Sequence, residues 1–320
     1  MSVKSLAPVA HRASEEALAR VRPLPDGGWV VSGSGSARIL DDTLKIVHRW
    51  DFGKGPVSID DQGERAAVAL WPDVAVYDKQ ALFPDGLLGT FQSPVPDHST
   101  SVLFDERSVY FMGFDEDLDE PEFVLLLRGD LDTQEVSCIG RTSIVGQYEI
   151  LPRRAPIPGL FVTAWDGQHG AATTYFPDGE IGVGERVGET GREWTAVFDV
   201  SPNGSLYLEG GSSVAVRRWS DRSALPLVLP PELEASRLPC EGRFLSDSRL
   251  VINHEHGPQF SVLDLAESSV ETYQLLDDHG NELDGSGVFC AAGRHLCVLT
   301  RRQHRRKPLS WETVVLLYEL

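Results

Sequence analysis

Arg301, Arg302, Arg305, Arg306 and Lys307 fall within seven consecutive positions, with His304 among them and Trp311 close behind. Guanidinium groups grip carboxylates and phosphates in planar, two-pronged contacts. An indole is a large, flat anchor that loses little freedom on binding. In a chain of net charge -19, such a basic cluster calls for an explanation. Two stand open: it holds an anionic ligand or partner, or it pairs with acidic loops of its own molecule, such as the run that begins at Asp115.

A second set of groups could do acid–base or metal chemistry. His254 and His256 alternate at a strand end, so both imidazoles can point the same way while Glu255 points away. Two imidazoles on one face can bind zinc or a similar ion, with His169 or His304 as a third ligand if the loops converge. The same histidines could act as general acid or base. Asp115, Asp117 and Asp119 form a DxDxD run, as in calcium loops, but Glu120 stands where the tight turn needs glycine and the distal glutamate is missing. That run reads better as a solvated acidic loop.

Motifs that carry chemistry locally are absent. There is no G-x-S-x-G elbow, no P-loop and no H-E-x-x-H. Gly182, Gly184 and Gly188 are spaced one residue too long for a dinucleotide fingerprint, and no helix follows. No cofactor is expected.

These residues sit on a repeated framework. Short alternating strands are separated by Gly, Asp, Asn or Pro turns, with turn centres near 27, 63, 106, 157, 204, 247 and 293. Each copy has a tight turn, an apolar strand, a variable loop and a second strand that usually ends near an acidic residue. The spacing of roughly 36 to 50 residues is that of four-stranded propeller blades. VSID at Val57, WTAVFDV at Trp194 and GVFC at Gly287 read as innermost strands. LKIVHRWD at Leu44, EVSCIGRT at Glu135 and VETYQLL at Val270 read as outermost ones. ALPLVLPPE at Ala224 holds three prolines, which suit an outer edge.

In period and strand order the chain resembles the WD-repeat-like β-propeller superfamily, although only Trp50-Asp51 and Trp165-Asp166 supply WD dipeptides, and at different strand positions. The resemblance implies one all-β domain over 1–320: a closed propeller of seven four-stranded blades, with residues 3–10 as an N-terminal strand closing the last blade. Six or eight blades also fit the spacing, and a two-domain β-sandwich chain is the runner-up. The best helix candidate is 14–21, with Ser14 as cap and Glu15 and Glu16 in the first turn.

With blade strands labelled a to d from the centre outwards, the b–c loops share one face. They are SGSGS at Ser32, WPD at Trp71, the Asp115 loop, WDGQHG at Trp165, EGGSS at Glu209, NHEHGPQ at Asn253 and RRQHRRKPLSW at Arg301. Binding residues concentrate on variable loops held by a rigid scaffold. The leading expectation is therefore a non-enzymatic protein-binding or scaffold module, with Trp71, Trp165, Arg301, Arg302, Arg305, Arg306 and Trp311 as anchors. The alternative is a hydrolase, lyase or cyclase with a central pocket on that face, using His254, His256, His169 or His304 on a small molecule. A sugar binder is a third reading, weakened by the lack of equivalent tryptophans in successive repeats.

Bulk properties narrow the partners. A uniformly acidic surface repels phosphate backbones, which argues against nucleic acid and anionic membranes. No apolar run is long enough to span a bilayer, and the N-terminus lacks a signal-peptide core. A cytoplasmic protein is expected, and the scarcity of lysine, five of 29 basic residues, resembles high-GC bacterial usage. None of the four cysteines forms a CxxC pair; Cys290 and Cys297 flank a hairpin turn and are expected as buried thiols.

Overall fold

The computed structural model describes residues 3–320 except 15, 17, 61, 71–72, 80–85, 93–101, 106, 115–123, 143–146, 152, 167–169, 179–181, 188–194, 212–213, 231–240, 255–257, 284–287 and 304–310. Among the described residues every regular element is a β-strand. The chain forms two compact units. One comprises Met1–Gly33, Ile39–His48 and Phe198–Leu320; the other comprises Ser34–Arg38 and Arg49–Val197.

Two kinds of turn set the repeat. The a–b turns use glycine at positive φ: Gly27 (90°), Gly63 (71°), Gly204 (67°) and Gly293 (59°). These are four of the turn centres read from the sequence. The c–d turns use an aspartate at the end of strand c. Asp41 Oδ1 accepts from the Thr43 and Lys45 N–H groups, each at 2.9 Å. Asp130 accepts from Asp132 and Thr133, and Asp264 from Ala266 and Glu267. Each turn then passes through a left-handed residue, Leu44 (64°), Gln134 (60°) or Ser268 (51°), a conformation these residues adopt only where the surrounding bonds impose it. The Thr43 hydroxyl and then the turn N–H groups hold Asp41 below the usual carboxylate range; backbone donors, Thr133 first, do so for Asp130.

In the unit that includes Arg49–Val197, three sheets follow one another. The first pairs Val57–Ile59 (the inner end of Ile46–Ile59) with Arg65–Leu70, then Asp73–Asp78 and Leu87–Gln92. The second pairs Leu103–Asp105, Ser108–Phe114, Val124–Asp130 and Val136–Thr142, and Gly182–Val183 adds a parallel fifth strand. The third pairs Gln147–Ile150, Gly159–Asp166, Gly170–Pro177 and Glu185–Val187. Strand alternation buries both faces of the middle sheet. Val109 and Phe111 pack with Val74, Val76 and Phe91 of the first sheet, while Tyr110 and Met112 pack with Tyr148, Leu160 and Val162 of the third.

The other unit repeats the plan. One sheet pairs Gly242–Phe244, Arg249–Asn253, Gln259–Asp264 and Ser269–Leu275. The last sheet pairs Val288–Ala292, His295–Gln303, Trp311–Glu319 and Ala10–Ser14. Val251, Phe260 and Tyr273 of the former pack on Phe289, Leu316 and Tyr318 of the latter. The opposite face of the last sheet, with Leu299, Val315 and Leu317, packs on Leu18, Trp29 and Leu40.

Trp29–Leu40 is twelve residues long, on the order of 35 Å if fully extended. Yet a Cβ on Gly28 would lie 2.6 Å from the Leu40 carbonyl oxygen, so the span doubles back on itself. Gly35, at φ +77°, stands at its middle, where the SGSGS run reads as a turn.

The N-terminal segment differs from the expectation in two places. The strand beside Trp311–Glu319 is Ala10–Ser14, in register from Ala10↔Leu317 to Ser14↔Thr313, and not 3–10. Lys4–Leu6 instead runs parallel along Ser269–Leu275, tied by a 2.7 Å ion pair from Lys4 to Glu271. Pro8 has no N–H to give a ladder, and the break between the two pairings falls there. The short helix over 14–21 is not formed. Ser14 accepts from the Glu16 N–H as a cap would, but it closes a turn, and Leu18–Pro23 continues as a strand. Leu18 and Val21 face the core across a bulge, so tertiary burial overrides a weak local helix preference. The proline-bearing segment after Ala224 makes one bridge, Arg217↔Ala224, and then leaves the ladder.

Candidate functional site

The basic cluster starts on the hairpin His295–Gln303/Trp311–Glu319. In its register Arg301 opposes Thr313, Arg302 opposes Glu312 and Gln303 opposes Trp311. Adjacent residues of a strand point to opposite faces, so Arg302 and Glu312 share one face and Arg301 and Trp311 the other.

The Arg302 face is closed by charge. Arg302 Nε donates to Glu312 Oε1 at 2.7 Å and Nη1 donates to Asp278 Oδ1 at 2.5 Å. Asp278 is buried, its side chain 4% exposed, in the turn that follows Ser269–Leu275. His11 Nε2 of the N-terminal strand lies 3.6 Å from Asp278 Oδ2, and His279 Nε2 lies 3.8 Å from it. Burial works against the charge on Arg302, but Glu312 and Asp278 together raise its guanidinium above the ordinary value. Tyr318 donates its hydroxyl to the Leu276 carbonyl beneath the network, and burial followed by Asp277 and Asp278 pushes its phenol up. Arg302 is thus committed to internal partners, Asp278 and Glu312, while the Asp115 run lies outside the described residues.

The Arg301 face is open. Trp311 is 65% exposed, and among the described residues no other aromatic side chain is exposed. Arg301 is exposed too and, among the described residues, has no ion-pair partner. The two are diagonal neighbours on one sheet face, a separation of about 7–8 Å that long side chains span. Arg305, Arg306, Lys307 and His304 lie outside the described residues.

His254 is buried, with Nε2 2.7 Å from Ser261 Oγ, which in turn meets Thr272 Oγ1 at 2.9 Å. A serine–histidine hydrogen bond is the starting geometry of nucleophilic catalysis. Here Ser261 has no exposed surface, so no substrate carbonyl reaches it, and the chain of hydroxyls stitches strands b, c and d together. Thr163 and Thr173, at 2.7 Å, do the same in an earlier repeat. His256, His169 and Trp71 lie outside the described residues. Trp165 is on Gly159–Asp166 opposite Ala171, and nothing further is described of its side chain. Glu209, in the b–c region of its repeat, is buried and ion-paired at 2.5 Å to Arg217.

Among the described residues no group of three or more His, Cys, Asp or Glu is arranged to hold a metal ion. No helix among them is long and apolar enough to cross a membrane. Cys290 and Cys297 stand directly opposite each other with no disulfide between them, and burial pushes the Cys297 thiol well up, which keeps it unreactive.

Sequence reading missed Asp278, His279 and His11 as partners of the cluster. Glu312 was within reach of it, since a hairpin closed between Arg301 and Trp311 sets Glu312 across from Arg302. Asp278 carries no such signal, because its approach depends on how two sheets pack.

No protein-family profile and no curated protein matches the chain. A chain of the crystal structure of the mitotic checkpoint complex is similar, with a TM-score of 0.62 over 99% of this chain and 93% of that one, at 10% sequence identity. With the successive face-packed sheets described above, this likeness defines the chain as a β-propeller protein.

Proposed function

We propose that this chain is a non-enzymatic protein-binding propeller that presents its b–c loop face to another protein. The observation that carries the reading is Trp311, 65% exposed beside Arg301, which has no ion-pair partner among the described residues, at the b–c end of the last sheet. Tryptophan and arginine are the residue types that most often dominate interface energetics. Leaving an indole in water is unfavourable, and a partner that covers it recovers that burial. The fold analogue belongs to a multi-protein complex, an analogy of fold that favours the same kind of role here. Seven four-stranded blades in one closed ring, with Trp71, Trp165, Arg305 and Arg306 on the same face, complete the proposal.

The test is affinity capture with crosslinking, using the intact chain beside Trp311→Ala and Arg301→Ala. A protein recovered in near-equal amount by the intact chain and lost by both variants supports the reading. Equal recovery by all three, or none by any, overturns it.

A further inference from the structure

We infer that the Arg301–Trp311 face binds an acidic peptide segment of its partner, with a carboxylate on Arg301 and an apolar side chain against Trp311. The inference rests on the protein-binding reading and names the chemistry of the partner. Charge complementarity carries it. The chain as a whole is at -19, yet Arg301 to Lys307 holds five basic residues and no acidic one. The Arg302 side is already neutralised by Asp278 and Glu312, so an incoming anion has nothing to gain there. On the other side Arg301 is exposed and, among the described residues, has no ion-pair partner, and Trp311 has no ring contact.

What sets Arg301 apart from other exposed cations such as Lys54, Arg154 and Arg186 is the exposed indole of Trp311 beside it, which fixes where an acidic segment with an apolar residue docks. Guanidinium and carboxylate match in two-pronged geometry, and the indole rewards an apolar neighbour in the same segment. Single-stranded nucleic acid would use the same two groups, one for phosphate and one for stacking. Single strands are held by stacking successive bases on several aromatic side chains, however, and among the described residues Trp311 is the one exposed aromatic.

The experiment is fluorescence anisotropy with two labelled probes of matched charge. One is a peptide of glutamates interspersed with leucine and proline; the other is a single-stranded oligonucleotide. The proteins are the intact chain, Arg301→Glu, Trp311→Ala and Arg294→Glu. Arg294 is exposed at the opposite, a–b end of the same sheet, where it pairs with Glu319, so Arg294→Glu makes the same change in net charge far from the site. All four proteins are first checked for the same denaturation midpoint.

The expected result is peptide binding by the intact chain, weakened ~10-fold by Arg301→Glu and ~5-fold by Trp311→Ala, and changed less than ~2-fold by Arg294→Glu. No peptide binding, an equal loss from Arg294→Glu, or tighter binding of the oligonucleotide overturns the inference. If peptide binding fails while the capture experiment still depends on Trp311, only the acidic partner class falls. If capture is also indifferent to Trp311, the protein-binding reading falls with it.

Discussion

On the Arg302 face of the last hairpin each charge meets a counter-charge, whereas on the Arg301 face, among the described residues, the guanidinium has no ion-pair partner and the indole no ring contact. The two arginines are adjacent in sequence and chemically identical. What separates them is strand alternation, which turns one toward Asp278 and the other toward solvent. On one side an ion network around the buried Asp278 carboxylate ties the Asp278 turn to the hairpin. On the other, an equivalent cation is held in place by the same backbone and left available.

The largest expected effect breaks the closed side. Arg302→Ala leaves Asp278, 4% exposed, without its nearest cation and is expected to cost ~3 kcal/mol, read from the midpoint of chemical denaturation. A loss below ~1 kcal/mol would show the network to be solvated. Ser261→Ala, which cuts the buried link between His254 and Thr272, is expected to cost ~1–2 kcal/mol in the same assay.

A pH effect comes next. Burial, then the hydrogen bond to Glu271, pushes Tyr273 up to about 12 from 10.0. Because the folded value is the higher one, the stability this phenol supports is fully present below pH 10 and is lost as pH rises toward 12. Ultraviolet titration is expected to show late tyrosine ionisation, of which Tyr273→Phe removes one step while Tyr207 and Tyr318 still ionise late.

His11→Ala acts on an exposed contact and is expected to change stability by less than ~1 kcal/mol, with the N-terminal strand still protected in hydrogen exchange. Arg301→Ala and Trp311→Ala should be smallest, within ~0.5 kcal/mol of the parent, because both side chains are mainly exposed. A large destabilisation by either would show that the open face is part of the structure and not a surface for binding.

The legible parts of the fold were those set by neighbours in sequence. The glycines at 27, 63, 204 and 293 mark turns because only they take positive φ without strain. The acidic residue ending strand c recurs because its carboxylate caps the following turn within a few residues. The strands at Val57, Thr195, Val136 and Ser269 followed from the same periodicity, but the last two are not outermost as expected, since Gly182–Val183 and Lys4–Leu6 each add a parallel strand beyond them. The inner strands Leu103–Asp105 and Gly242–Phe244, three residues each, were too short for an alternation to show.

The sequence by itself determined the β class, the repeat and the presence of an unusual basic segment next to a tryptophan, because each is a local property of composition or spacing. Only the tertiary structure decided that Ala10–Ser14 and not 3–10 lies beside Trp311–Glu319, since both segments can extend and the choice depends on which edge each one meets. Only the tertiary structure separated Arg302 from Arg301, since the acid that claims the first lies 24 residues away on another sheet and reaches it through packing alone.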